Sequence, residues 1–200
     1  MKLYFMPGAC SLAAHIAMCE AALEFDLVEV DYQTRRMDCG SDYRTINPKG
    51  SVPALRLADG SVLTEVPVIL QYVADEAPDT RLLPASGMRR LRALEWLNFI
   101  ATEIHKSFSP LFRPTTPDAF LQPGKAHLRS RLGFAERHLS NRTYLMGDDF
   151  SLADVYLFTV CRWLADQNIS LGNWPALQQH SERIRFRPPV RKALDREGCK

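Results

Sequence analysis

The apolar pattern of this chain changes period once, across Ala77 to Gly87 (APDTRLLPASG), and that change demands a fold in two parts. Ahead of it, short β-prone runs alternate with helical ones. Lys2 to Met6 reads as a strand, Pro7-Gly8 breaks it, and Ser11 opens a helix with Leu12, Ile16, Cys19 and Leu23 on one face. Phe25 to Asp31 reads as a second strand, followed by a polar stretch to Asn47 that suits a loop with a short helix. Pro53 stands at the start of a third strand, where its missing N–H costs no ladder bond. Ala54 to Leu57 and Ser61 to Thr64 flank Ala58-Asp59-Gly60, a hairpin signal. A helix then begins around Pro67 and carries Ile69, Leu70, Val73 and Ala74. The order β-α-β, loop, hairpin, helix builds a small mixed sheet with helices packed on it.

Beyond Gly87 the periodicity is helical throughout. Met88 to Phe108 carries Leu91, Leu94, Leu97, Ala101, Ile104 and Phe108 as one stripe, with a stop expected before Pro110. Prolines 114, 117 and 123 punctuate a loop, and Lys125 to Leu139 reads as the next helix. Ser151 and Asp154 form a capping box, with Phe150 and Val155 at staple positions. A last helix is expected from Pro175, capped by Asn173 and broken at Pro188-Pro189, with a short turn over Val190 to Leu194.

A net charge of +2 with 24% charged residues makes no demand for nucleic acid or an anionic membrane. No stretch approaches transmembrane length, and the apolar run before Pro7 is too short for a signal core, so a soluble cytoplasmic protein is expected. The cysteines at 10, 19, 39, 161 and 199 form no CxxC and no zinc-spaced pair with histidine, which argues against a metal centre or a disulfide framework. Cys19 lies on an apolar helix stripe and reads as core. Cys10 lies in a turn at a helix start, where free N–H groups and the helix dipole favour a thiolate.

These pieces together resemble the cytosolic glutathione transferases, most closely the bacterial beta class. The resemblance rests on Pro7-Gly8-Ala9-Cys10-Ser11, on Asn47-Pro48-Lys49-Gly50-Ser51-Val52-Pro53-Ala54-Leu55, and on Leu63-Thr64-Glu65. It extends through Asn98, Glu103, His105 and Lys106, Phe150 to Asp154, and the late Arg-Pro-Pro-Val, over essentially the whole length. It implies an α/β thioredoxin-like N-terminal domain with a mixed four-stranded sheet (1–77), a linker (78–87) and an all-α C-terminal helical domain (88–200). It also implies a homodimer with glutathione as co-substrate.

By the same resemblance, Pro53 follows a cis bond that turns the Val52 backbone toward the cysteine of glutathione, aiming its sulfur at Cys10. Glu65 and Val66 hold the γ-glutamyl end, while Arg35, His105 and Lys106 surround the glycyl end or the thiol. Asn98 and Glu103 reach into a partner's site, and Thr102 joins the glutathione-binding set. Cys10, Ser11 and His105 are the catalytic candidates, with Ser11 and backbone N–H groups as donors to the sulfur. Phe108, Phe112 and Trp163 are candidates for holding a hydrophobic electrophile in a cleft between the domains.

The sequence departs from the family at Val66-Pro67: the family usually has Ser, Gly or Asn where Val66 stands, and Pro67 removes an N–H from the helix start. Losing one charge-assisted hydrogen bond there weakens glutathione binding by about 1.5–3 kcal/mol. Position 13 is Ala, so Cys10 has no resolving thiol three residues on. Two competing functions follow: a glutathione-dependent thiol–disulfide oxidoreductase or peroxidase working through a Cys10 mixed disulfide, and a non-catalytic module that keeps the fold and binds hydrophobic ligands.

Overall fold

The computed structural model describes residues 1–199. It divides into two compact units, one of Met1–Ala85 with the chain from Phe186 onward, and one of Ser86–Arg185.

The first unit is built on a four-stranded sheet in the order β2-β1-β3-β4, from β1 (Lys2–Phe5), β2 (Asp26–Glu29), β3 (Ala54–Arg56) and β4 (Val62–Thr64). β1 runs parallel to β2, with Leu3 opposite Leu27, and antiparallel to β3, with Leu3 opposite Leu55. β3 and β4 form the expected hairpin, Gly60 supplying the positive φ of +88° that its turn requires. Helix α1 (Ser11–Glu20) makes the crossover from β1 to β2, and α2 (Val66–Glu76) follows β4. Leu3, Leu12, Ile16, Leu55, Ile69 and Leu70 are fully buried, so the core lies between the sheet and these helices.

The second unit is helical. Helix α3 (Gly87–Phe99) does not stop before Pro110; it passes through a π-helical stretch, Ile100–His105, into α4 (Lys106–Phe112), with Pro110 inside. Pro110 takes one donor from the ladder, and the helix ends two residues later. The buried stripe is accordingly Ala93, Leu97, Ile100, Ile104 and Phe108, while Leu91 is exposed. Helix α5 (Asp118–Leu139) starts seven residues earlier than its pattern indicates and carries Pro123 within it. Helices α6 (Leu152–Cys161) and α7 (Pro175–Arg185) complete this unit.

Asn173 does not cap α7. Its first N–H groups, at Ala176 and Leu177, donate instead to the Glu136 carboxylate of α5 at 3.1 and 2.9 Å. The tail also differs from expectation. Pro188 and Pro189 start a helix, α8 (Pro188–Arg196), because proline in a first turn removes only N–H groups that have no intrahelical partner. Val190, Ala193 and Leu194 are buried, and α8 packs on α1, so the end of the chain belongs with the first unit and not with the helical one.

Candidate functional site

The turn after β1 is closed by Ser11. Its hydroxyl accepts from Met6 N–H at 3.1 Å and donates to Met6 C=O at 3.2 Å, and the residue is fully buried. The one hydroxyl hydrogen is therefore committed to backbone, which leaves the Ser11 N–H as the donor this residue turns toward the Cys10 sulfur. Its role is to fold the loop back so that Cys10 occupies the N-cap of α1.

Cys10 is half-buried, and its thiol donates to the Val52 carbonyl at 3.1 Å. The Val52–Pro53 bond is cis. Desolvation pushes the Cys10 thiol up to about 12, the Glu65 carboxylate adds to the rise, and the N–H groups of Cys10 and Ser11 oppose it. The helix start does favour a thiolate, as expected, but burial is the larger effect. Cys10 is a protonated thiol here.

Below this pair the loop is fixed by Asn47, the first residue of the Asn47–Leu55 motif, and by Tyr43, which that motif does not include. Tyr43, fully buried, donates its hydroxyl to the Ser51 carbonyl at 2.9 Å, and Asn47 Nδ2 donates to the same oxygen at 2.6 Å. Tyr43 carries no sequence signal of this role, standing in a polar stretch without periodicity. Arg35 sits at φ +58° with its guanidinium 3.5 Å from Met6 Sδ and 4.8 Å above the Tyr32 ring, close to the Cys10 turn.

At the start of α2, Glu65 takes φ +71° and presents an exposed carboxylate, paired with Lys49. Lys49 Nζ also donates to Thr64 Oγ1 at 2.8 Å. Val66 is only 4% exposed, so its side chain belongs to the core.

In the second unit, His105 Nδ1 shares a 2.7 Å hydrogen bond with the Tyr156 hydroxyl and packs edge-on to Trp163 with 5.0 Å between centroids. Phe108, Phe112 and Trp163 form one cluster: Phe108 stacks on Phe112 at 5.8 Å, and Trp163 meets the two rings at 5.4 and 5.8 Å. Phe108 is buried and Phe112 is 40% exposed, so the cluster is rooted in the core and open at one edge. Asn98, Thr102 and Lys106 are exposed along the same helix, Thr102 donating to the Asn98 carbonyl at 3.0 Å. Glu103 faces α5, 3.6 Å from Arg131 and 4.0 Å from His127, and so has partners inside its own chain.

One further anchor lies beside the Cys10 turn. Glu197, just past α8, accepts from Gly8 N–H at 2.9 Å and from His15 Nδ1 at 2.8 Å; the His15 and Glu197 side chains are wholly buried. A glutamate in a polar terminus carries no sequence signal of such a role.

Residues 8–76 match the family described as glutathione S-transferase, N-terminal domain, and residues 99–188 the corresponding C-terminal domain. The chain is 45% identical to the glutathione S-transferase GstA of Escherichia coli O157:H7, with both chains fully covered. Among solved structures it is similar to a ternary complex of BphK, a bacterial GST, at 49% identity and a TM-score of 0.97, covering 99% of this chain and 100% of that one. A sphingomonad glutathione S-transferase complexed with glutathione (42% identity, TM-score 0.96) and a bacterial beta class enzyme from Sphingomonas chungbukensis (42%, 0.97) are matched over the whole of both chains.

Proposed function

We propose, from the premise that this chain belongs to the glutathione S-transferase family, that it joins the thiolate of glutathione to hydrophobic electrophiles. Glutathione is the co-substrate. The observation that carries the residue assignments is the Cys10 thiol on the Val52 carbonyl beside the cis Val52–Pro53 bond. That places the Val52–Pro53 backbone beside the Cys10 sulfur, where the cysteine of glutathione can pair with it as an added strand once the thiol leaves the carbonyl. Glu65 takes the γ-glutamyl ammonium, Val66 N–H contributes at the helix start, and Arg35 answers the glycyl carboxylate.

The nucleophile is the glutathione sulfur. A Cys10 thiol held near 12 is protonated at neutral pH; released from the Val52 carbonyl when glutathione pairs there, it acts as an S–H donor to that sulfur, together with the Cys10 and Ser11 N–H groups. The glutathione thiol gives up its proton to solvent; its sulfur attacks the electrophilic carbon, forming a C–S bond as the leaving group departs with its electron pair. Phe108, Phe112 and Trp163 hold the electrophile, and His105 with Tyr156 supplies polar groups on the same helical unit. Asn98, Thr102, Glu103 and Lys106 complete the glutathione-binding set in a homodimer, and the enzyme works in the cytoplasm. Among the described residues, no helix is long and apolar enough to cross a membrane.

Retention on immobilised glutathione and turnover of a halogenated aromatic test this reading. Cys10→Ala is expected to keep conjugation within about tenfold, since the reacting sulfur is not its own. A wild-type chain that fails to bind glutathione, with binding restored by Val66→Ser, would defeat the assignment.

A further inference from the structure

The helix start beside Glu65 is poor in donors. Pro67 has no N–H, the N–H groups of Val68 and Ile69 already bond the Glu65 carbonyl at 3.1 and 3.0 Å, and the Val66 side chain is buried and apolar. A carboxylate arriving here meets one backbone N–H, that of Val66, and no hydroxyl from residue 66. Beside it stands a cation. Lys49 Nζ bridges the Glu65 carboxylate and Thr64 Oγ1, the latter at 2.8 Å.

The loop that carries Lys49 is held in place. Lys49 N–H donates to Asn47 Oδ1 at 3.2 Å, Gly50 N–H to the Asn47 carbonyl at 2.8 Å, and Tyr43 and Asn47 both anchor the Ser51 carbonyl. Lys49 and Glu65 thus present one positive and one negative charge side by side on the rim of the candidate site.

We infer that Lys49 is the binding partner of the α-carboxylate on the γ-glutamyl end of glutathione, replacing the hydroxyl that Val66 lacks. The inference rests on the reading of this chain as a glutathione transferase. The γ-glutamyl end is a zwitterion, with ammonium and carboxylate on one carbon. Its ammonium competes with Lys49 for Glu65 and frees the lysine ammonium to meet the carboxylate. The four charges then alternate, and the ligand exchanges one ion pair of the free enzyme for two. Lysine suits such an exchange, because its single rotatable ammonium moves between partners more readily than a planar guanidinium would. The Val66 side chain remains in the core and takes no part in recognising the carboxylate, to which this residue offers only its N–H.

The test is calorimetric titration of wild type, Lys49→Gln and Lys49→Arg with two probes: glutathione, and its analogue γ-aminobutyryl-cysteinylglycine, which keeps the amine but lacks the α-carboxylate. Lys49→Gln should weaken glutathione binding by about ten- to a hundredfold. It should leave affinity for the analogue within about twofold of wild type, and Lys49→Arg should recover most of the loss. Adding Val66→Ser to Lys49→Gln should restore part of it.

Equal weakening for both probes would overturn the inference, since the lysine would then be acting on the loop or on Glu65. Unchanged or tighter glutathione binding in Lys49→Gln would also overturn it, identifying the lysine as a competitor for Glu65 only. A wild-type chain that binds neither probe refutes the transferase reading itself, which is a separate failure.

Discussion

Two opposing effects act on the Cys10 sulfur, and their balance decides whose sulfur reacts. Helix-start N–H groups lower its pKa; burial, the larger effect, and Glu65 raise it to about 12 from an ordinary value of 9.0. The sign is clear. Below pH 9 the thiol is protonated in both folded and unfolded chains, so it has no pH-dependent effect on stability there. Between 9 and 12 the unfolded chain ionises and the folded one resists, so stability falls with rising pH in that window. Alkylation by iodoacetamide, read by peptide mass mapping, should show the same order. Exposed Cys39, whose pKa is pulled down by the Ser41 hydroxyl and N–H, should react well ahead of Cys10 at pH 7.5. Cys10 should speed up about tenfold per pH unit up to about 11. A Cys10 rate that levels off by pH 9 would show that burial is not in control, and would revive the mixed-disulfide chemistry. The place of Cys10 at a helix mouth is legible in the sequence because Pro7-Gly8 and the periodic run mark it. Its protonation is not, because desolvation depends on what the fold lays over the turn.

Elements were legible where local chemistry decides them. The capping box at Ser151 and Asp154 forms as its spacing dictates, Asp154 Oδ2 accepting from Ser151 N–H at 2.8 Å and from its hydroxyl at 2.9 Å. What spacing does not show is that Oδ1 of the same buried carboxylate also takes Leu145 N–H at 2.8 Å and His180 Nε2 at 2.9 Å. Proline is a poor guide in the helical unit because Pro110 and Pro123 fall inside helices that packing carries past them. The end of α1 hides a local conflict of another kind. Leu23 N–H bonds the Met18 carbonyl at 3.1 Å and Ala22 N–H bonds Cys19 at 3.2 Å, a Schellman closure that places Ala22 at φ +52°. That region costs an L-residue roughly 1–2 kcal/mol and glycine nothing, although glycine loses about 0.4–1 kcal/mol through its freer unfolded chain. Ala22 is exposed, so no packing is lost. Ala22→Gly should therefore stabilise the protein by about 0.5–1 kcal/mol in urea denaturation. A destabilised variant would mean that this turn is not left-handed in solution.

At the scale of the whole chain, the last residues hold the first turn. Glu197 lies 182 positions from His15 and 189 from Gly8, yet binds both. The first unit is incomplete until the C-terminal segment arrives, because α8 packs on α1 and Glu197 closes the Pro7-Gly8 turn. Such distant closure forms slowly and is invisible to periodicity, since neither residue's neighbours in sequence announce it. Removing the glutamate takes the Nδ1 acceptor from the buried His15 ring and the carboxylate bond from Gly8 N–H. Taking the acceptor from a buried donor typically costs about 1–3 kcal/mol, and here two bonds are lost. In a protein of this size each kcal/mol moves Tm by about 2–4 °C. Glu197→Ala should thus lower Tm by about ten degrees, and Glu197→Gln, which keeps an acceptor at the same place, by roughly half as much. The turn should loosen with it, so Cys10 in Glu197→Ala should alkylate faster than in wild type at the same pH while Cys39 is unchanged. A loss in Tm without any change at Cys10 would mean that Glu197 supports α1 through His15 alone, and that the Gly8 bond does not govern the turn that carries the thiol.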